Sequence, residues 1–153
     1  MNNEQLDAFI IELMDMFNKQ QELEEKALKQ SKFNDLTVKE LHTIIQIGLE
    51  GSKKQSDLAK ALGVTMGTLS VSIKRLVKKG YVQRENDPND RRITYLSLTK
   101  PGRVMYRLNL LFYRNLVKTM AKERSEEELN TLIESMREVH QFILDTYNLL
   151  DEE

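Results

Sequence analysis

In the middle of the chain the spacing of apolar residues changes from a helical period to a strand period, and few folds accommodate this change. Residues 55–62 and 65–79 show the three- and four-residue spacing of two helices, and Gly63 between them suits a left-handed turn. Residues 81–85 and 93–98 alternate, which predicts two strands joined by a turn rich in Asn and Asp. Helix, glycine turn, helix and β-hairpin in this order predict a winged helix-turn-helix.

The segments on either side of this motif are predicted to be helical. Residues 4–29 repeat apolar side chains every three or four positions, and a helix of that length would extend about 40 Å. Thr37 and Glu40 have the spacing of a capping box that opens a second helix, and Ser125 and Glu128 repeat it before the last helix. We therefore expect a mainly α fold with a small β-hairpin wing and long N- and C-terminal helices.

The length of the chain predicts one domain over residues 1–153. Within it we expect a DNA-binding lobe at about 36–100 and helical dimerisation regions at about 1–35 and 101–153. The apolar faces of the long terminal helices exceed what a chain of this size buries alone. A two-fold homodimer is therefore expected, and a monomer with a closed helical cap is the alternative.

The near-neutral net charge of −1 conceals a strongly basic middle third. Residues 53–107 contain 13 Lys and Arg but four acids, a net charge of +9, whereas the rest of the chain carries −10. Such asymmetry is typical of a lobe that binds a polyanion such as double-stranded DNA. A random spread of solvated surface charge is the alternative.

The helix at about 65–79 is the expected recognition helix. Its predicted buried stripe is centred on Leu69, and taking 100° per residue places small and basic residues on the opposite face and its flanks. The residues of that face and its flanks are Gly67, Thr68, Ser70, Val71, Lys74, Arg75 and Lys78. Small side chains here allow the helix axis to enter a major groove deeply.

Several residues in and near this face have an expected contact. Val71 would touch a thymine methyl group, and Thr68 and Ser70 would bond to base edges, although Val71 facing a neighbouring subunit is an alternative. Thr65, at the helix N-terminus, suits a phosphate. Four cations would also meet phosphates and give salt-dependent affinity. These are Lys74, Lys78, Lys79 and Arg84.

The segment from Asp90 to Thr99, DRRITYLSLT, fits the D-x-R-x5-L-T wing signature of the MarR family of bacterial transcription regulators, and the order of elements along the whole chain resembles that family. The resemblance implies a dimeric repressor on a palindromic, AT-rich operator. It further implies that an Asp90–Arg92 pair orders the wing (about 81–98) and that Arg91 or Arg92 enters the minor groove. Asp90 as a plain turn residue is the alternative.

The fifth predicted helix has an unusual charge pattern. No acidic residue occurs from Ser97 to Lys122, and four cations fall within about 60° on one side of the helix. These four are Arg103, Arg107, Arg114 and Lys118. The stripe must face solvent, acids of another helix, or an acidic partner.

Segments 31–44, 64–84 and 98–117 resemble a group of MarR-family repressors of fatty acid biosynthesis. That resemblance implies long-chain acyl-acyl carrier protein as co-repressor, and the carrier is small and acidic. We expect the basic stripe to dock the carrier while the acyl chain enters a pocket lined by Met105, Leu108 and Phe112. Pairing of the stripe with internal glutamates, and release from other genes by a small lipophilic or aromatic ligand, are the alternatives.

Other classes of function find little support in the residues. The chain has no cysteine and its two histidines are His42 and His140, so we expect no metal site and no cofactor. No catalytic set of residues stands out, so an enzyme is not expected. A winged-helix protein–protein adaptor remains a rival, which salt dependence of binding separates from a DNA-binding protein. No long apolar run and no basic, cleavable leader is present, which predicts a cytoplasmic protein without membrane contact.

Overall fold

The computed structural model describes residues 2–151, and the side chains of residues 2–147. The chain divides after Asn109 into two compact units, each of which is described by itself. The domain boundaries expected from the sequence stay a prediction. Within the described residues, no helix combines the length and the hydropathy that a membrane crossing requires.

The chain is mainly helical, as predicted, with one small sheet. The elements in order are α1 (Asn3–Gln30), α2 (Val38–Ile47), β1 (Lys53–Lys54), α3 (Gln55–Leu62), α4 (Met66–Lys78), β2 (Val82–Asn86), β3 (Thr94–Leu98), α5 (Lys100–Ala121) and α6 (Glu126–Asp151). The first unit holds α1 to β3 and the start of α5, and the second holds the rest of α5 and α6. The winged helix-turn-helix predicted from the sequence is thereby confirmed.

Local side-chain chemistry fixes the ends of the helices. Both predicted capping boxes form: the Thr37 hydroxyl and Glu40 carboxylate accept each other's backbone N–H, and Ser125 and Glu128 do the same. Gly63 ends α3 in the left-handed conformation, with φ 62° and ψ 36°. This conformation suits glycine and turns the chain from α3 towards α4.

The wing is larger than the predicted hairpin. It is a three-stranded antiparallel sheet of order β1-β3-β2, in which Lys53 pairs with Leu96 and Val82 pairs with Leu98. The expectation of two strands missed β1. A two-residue strand has no period of its own and exists because β3 offers it a free edge.

The core of the first unit lies between the helix-turn-helix and the sheet. Its fully buried side chains are Ile44, Leu58, Leu69, Ile73, Leu76, Val82 and Leu96. Leu69, Ile73 and Leu76 form the predicted inner stripe of α4, so the opposite face of that helix points to solvent.

The first turn of α5 packs directly on the base of the wing. The Thr99 N–H donates to the Tyr81 carbonyl oxygen at 3.1 Å, and the Arg103 Nε donates to the Leu98 carbonyl oxygen at 3.2 Å. A Cβ at the buried Gly102 would lie 3.3 Å from the Leu98 Cβ and overlap the Tyr81 carbonyl group. Glycine at this position therefore allows the helix and the wing to approach closely.

Candidate nucleic-acid interface

The outer face of α4 is exposed as the helical spacing predicts. Its exposed members are Gly67, Thr68, Val71, Lys74, Arg75 and Lys78. Val71 is 50% exposed even though it is β-branched and apolar. An exposed valine between small and basic residues is suited to contact with thymine methyl groups in a major groove.

Thr65 caps α4 and is bonded to Thr68. The Thr65 Oγ1 accepts the Thr68 N–H at 3.2 Å and donates to the Thr68 Oγ1 at 2.9 Å. The Thr65 hydroxyl thus donates its proton to Thr68, and the cap that it forms stabilises the first turn of α4. Any phosphate at this end would bond to the free backbone N–H groups of the first turn.

Ser70 is placed differently from the rest of the predicted contact face. It is half-buried, and its Oγ accepts a hydrogen bond from the Nε2 of Gln55 at 2.8 Å. Gln55 is the first residue of α3 and is 5% exposed. This contact could not be predicted from the sequence, because no local pattern relates residues 15 positions apart.

Lys79, expected to meet phosphate, is instead part of a polar cluster inside the first unit. Its Nζ donates to the Glu40 Oε2 at 2.7 Å and to the Asp35 carbonyl oxygen, and the Tyr81 hydroxyl donates to the Asp35 Oδ1 at 2.7 Å. The phosphate expectation for Lys79 was wrong because the buried Glu40 carboxylate needs a cation. The cluster ties the end of α4 and the start of the wing to the N-terminus of α2.

The electrostatics of this cluster follow from burial and pairing. Burial alone would raise the pKa of Glu40, but the hydrogen bonds from Lys79 and Thr37 hold it below its usual value. Burial raises the pKa of Tyr81 far above its usual value, and the hydrogen bond to the Asp35 carboxylate adds to this. Glu40 is therefore ionised and Tyr81 protonated at neutral pH.

At the wing tip Asp90 and Arg92 form a bidentate pair. The Arg92 Nε and Nη2 donate to the two Asp90 carboxylate oxygens at 3.0 and 2.9 Å, and the Arg92 backbone N–H donates to the Asp90 Oδ1 at 3.0 Å. Asp90 thus both shapes the turn and orients the guanidinium, which combines the two roles considered from the sequence. The Arg92 side chain is still 90% exposed. The guanidinium of Arg92 holds the pKa of Asp90 below its usual range.

Two further cations accompany this pair. Arg91 beside it is exposed, and no hydrogen bond or ion pair among the described residues involves its side chain. Arg84 is exposed on β2. The wing therefore presents one paired arginine and two further exposed cationic side chains to solvent.

The predicted partner-binding cations of α5 fall into two groups. Arg107, Arg114 and Lys118 are exposed, and none of the ion pairs found between residues 2 and 147 involves them. The alternative of internal pairing with glutamates is thus not observed in this part of the chain. Arg103 differs because its Nε bonds to the Leu98 carbonyl oxygen.

The apolar residues expected to line a pocket on α5 do not share one environment. Met105 is 8% exposed and packs in the core of the first unit, whereas Leu108 and Phe112 are exposed. Of these three expected residues, Leu108 and Phe112 are therefore accessible to a ligand and Met105 is not.

A cavity of about 1320 Å³ opens instead between α1, α2 and α4. Its apolar lining comprises Phe17, Leu28, Leu36, Val38 and Val71. Arg75 and Thr68 of the recognition helix also line it, and so does His42, whose Nε2 lies 3.1 Å from the Glu24 Oε2. The cavity therefore borders the same helix face that was predicted to contact DNA.

Comparisons with known proteins agree with this architecture. Residues 36–94 match the model of the MarR family. The crystal structure of Streptococcus pneumoniae FabT in complex with DNA has a TM-score of 0.81 and 34% sequence identity, and the alignment covers 94% of this chain and 99% of that one. The likeness to the FabT structure thus extends beyond the family match to nearly the whole chain.

Curated relatives are similar over shorter stretches. The multiple antibiotic resistance protein MarR of Escherichia coli is 29% identical over 99 residues, which is 64% of this chain and 69% of that protein. The transcriptional regulator YdgJ of Bacillus subtilis is 34% identical over 80 residues, about half the length of each chain. Together with the FabT structure, these matches confirm the resemblance carried by the wing signature. The chain belongs to the MarR family of transcriptional regulators.

Proposed function

We propose that the chain is a homodimeric repressor of fatty acid biosynthesis genes that binds a palindromic, AT-rich operator and uses acyl-acyl carrier protein as co-repressor. The observation that carries the DNA-binding part is the exposed α4 face beside an ordered, cationic wing. The assignment to fatty acid genes rests on the similarity to FabT. A repressor of this kind would act in the cytoplasm.

The recognition helix would contact bases through its small residues. Gly67 allows close approach to the groove, Thr68 bonds to base edges and Val71 contacts thymine methyl groups. Lys74 and Lys78, one turn apart on the exposed face, would neutralise phosphates and make the affinity depend on salt. Arg75 would add a further contact at the flank.

The wing would enter the minor groove through Arg92. Its guanidinium is already oriented by Asp90 and yet exposed, so little conformational entropy is lost on binding. A narrow, AT-rich minor groove has the strongest negative potential and attracts such a group. Arg91 and Arg84, whose side chains point into solvent, would contact the flanking phosphates.

The dimer would form through the long helices. In α1 the apolar side chains of Phe9, Ile11 and Met14 are more than half exposed in the single chain. In α6, Met136 and Phe142 are exposed as well. Such apolar surfaces are typical of subunit interfaces, and a two-fold dimer matches the symmetry of a palindrome.

The co-repressor would dock on α5. Arg107, Arg114 and Lys118 form a row of cations with no internal partner among the described residues, and an acidic carrier protein would complement them. The acyl chain would contact the exposed Leu108 and Phe112. Met105, being buried in the core of the first unit, would not contact the acyl chain.

The cavity between α1, α2 and α4 favours a second candidate effector. A small lipophilic or aromatic ligand lying against Phe17, Leu36 and Val71 would sit beside the recognition helix. It would compete with DNA for Val71 and Thr68, and would therefore release a repressor from its operator rather than strengthen its binding.

Fluorescence anisotropy on a labelled palindrome from a fatty acid synthesis promoter tests the proposed co-repressor. We expect long-chain acylated carrier protein to tighten operator binding and the unacylated carrier to leave it unchanged. Charge reversal at Arg107 and Arg114 should abolish that effect and leave basal DNA binding intact, with reversal at Lys122, at the start of the following loop, as the matched control. An acyl-carrier effect that survives the reversal would contradict docking on α5, and no response to the acylated carrier would contradict the co-repressor.

A further inference from the structure

We propose that Gln55 is a specificity-determining positioning residue, which fixes the Ser70 hydroxyl as a hydrogen-bond donor towards an acceptor on a base edge in the major groove. The inference rests on the proposed function, since it assumes that α4 enters the groove. It assigns a role to a residue outside the recognition helix, and it names the kind of base atom that Ser70 contacts.

The first step is the direction of the hydrogen bond between the two side chains. The Gln55 Nε2 donates to the Ser70 Oγ at 2.8 Å. A serine hydroxyl has one proton to donate and two lone pairs that accept. When one lone pair is occupied by Gln55, the proton of Ser70 remains for another acceptor.

The second step is that α4 itself does not take this proton. Five other helical hydroxyls donate to the carbonyl oxygen four residues earlier. They belong to Thr43, Thr119, Thr131, Ser135 and Thr146. The Ser70 side chain makes no such bond, and its one hydrogen bond among the described residues is the one from Gln55. Its proton is therefore available on the side of the helix that carries the exposed Gly67 and Lys74.

The third step is that Gln55 is buried. It is 5% exposed, lies at the first position of α3 and contacts α4 through Ser70. A long amide side chain held by burial offers a fixed donor, whereas water at the same place would reorient freely. The orientation of the Ser70 hydroxyl is thus set before DNA arrives, which lowers the entropy cost of the contact.

The fourth step identifies the base atoms. In the major groove, purine N7, guanine O6 and thymine O4 accept, whereas adenine N6 and cytosine N4 donate. A hydroxyl that is held as a donor favours binding to a base pair with an acceptor at that position. Opposite a base atom that donates, the hydroxyl proton has no hydrogen-bond partner. Ser70 should therefore discriminate at one base pair by roughly two- to twelvefold, the scale of a single hydrogen bond.

The test begins with an operator selected from a random DNA library by the purified full-length protein. Binding constants are then measured for operators substituted at each base pair, with wild type, Ser70→Ala, Gln55→Met and Gln55→Glu. We expect S70A and Q55M to lose discrimination at the same single base pair and to keep it elsewhere. A carboxylate at position 55 accepts from the Ser70 hydroxyl, so Q55E should shift the preference at that pair towards bases that donate.

Controls separate this role from a structural one. The midpoint of thermal unfolding and the salt slope on scrambled DNA should change little for S70A, and Ser72→Ala, also a half-buried serine of α4, should keep wild-type discrimination. If Q55M does not fold, S70A and Q55E still decide the question. Unchanged base preference in S70A, or loss in Q55M at a different pair, would overturn the proposal. Failure of the library to yield any preferred sequence would instead overturn the proposed DNA-binding function.

Discussion

Replacing Gly102 by alanine tests the close packing of α5 on the wing. The new Cβ would lie 3.2 Å from the Tyr81 carbonyl carbon and 3.3 Å from the Leu98 Cβ, and closer still to the Tyr81 carbonyl oxygen. Carbon atoms in ordinary contact are about 3.5–4.0 Å apart. Because the obstacle is backbone, no side-chain rotation relieves the overlap. The first turn of α5 must move away from the wing, which strains the 3.1 Å hydrogen bond between the Thr99 N–H and the Tyr81 carbonyl oxygen.

The size of the effect follows from two opposing contributions. Overpacking of a well-packed site costs about 1–3 kcal/mol, whereas alanine in place of glycine in a helix stabilises by about 0.5–1 kcal/mol. We therefore expect G102A to lower the free energy of unfolding by about 1–2 kcal/mol. For a chain of this size that corresponds to a Tm lower by roughly 2–8 °C.

Thermal unfolding followed by circular dichroism measures this directly. Gly67→Ala is the matched control, because the nearest atom to a Cβ at Gly67, outside its own helix backbone and chain neighbours, is the Thr65 Oγ1 at 3.9 Å. We expect the control to keep or raise its Tm. A G102A protein as stable as wild type would refute the argument that the glycine is required by close approach.

Two other predictions concern the interface, and a third concerns the Glu40–Lys79 pair inside the first unit. G67A should keep its stability but bind the operator more weakly, because the added methyl group would keep α4 from entering the groove as deeply. An affinity equal to that of wild type in a binding titration would contradict this close approach. Asp90→Ala should weaken operator binding by about five- to tenfold with little change in Tm. The reason is that the exposed pair orders Arg92 without supporting the core. A large decrease in Tm would show that the pair stabilises the fold instead. Lys79→Met leaves the buried Glu40 carboxylate unpaired and should cost about 1–3 kcal/mol at pH 7 in urea unfolding. The pKa of Glu40 is lowered in the folded protein, so its stabilising contribution is present above about pH 5 and is lost as the pH falls. The difference in unfolding free energy between wild type and K79M should therefore shrink below pH 5. A difference that stays constant with pH would contradict the pairing.

Much of the fold follows from local patterns in the sequence. Capping boxes depend on residues three positions apart, so Thr37 with Glu40 and Ser125 with Glu128 were predicted as the structure has them. The buried stripe of α4 and its exposed face depend on the helical period alone, and they too were predicted. Local geometry carries this information because each partner lies within one helical turn of the other.

The features that were missed depend on contacts between distant residues. Lys79 lies 39 positions from Glu40, and no local signal distinguishes it from Lys78, which is exposed. Its role as the partner of a buried carboxylate emerges when α2 and α4 pack together. The strand β1 and the Gln55–Ser70 hydrogen bond have the same origin, because each is created by the tertiary fold rather than by a pattern along the chain.

The most direct test of the central claim compares binding of the protein to a selected palindrome and to scrambled DNA of equal length over about 50 to 200 mM salt. We predict a dimer bound per palindrome, an affinity for the palindrome at least about 10³-fold above that for scrambled DNA, and a steep loss of affinity as salt rises. Equal affinity for the two sequences, or binding that ignores salt, would contradict a sequence-specific DNA-binding regulator.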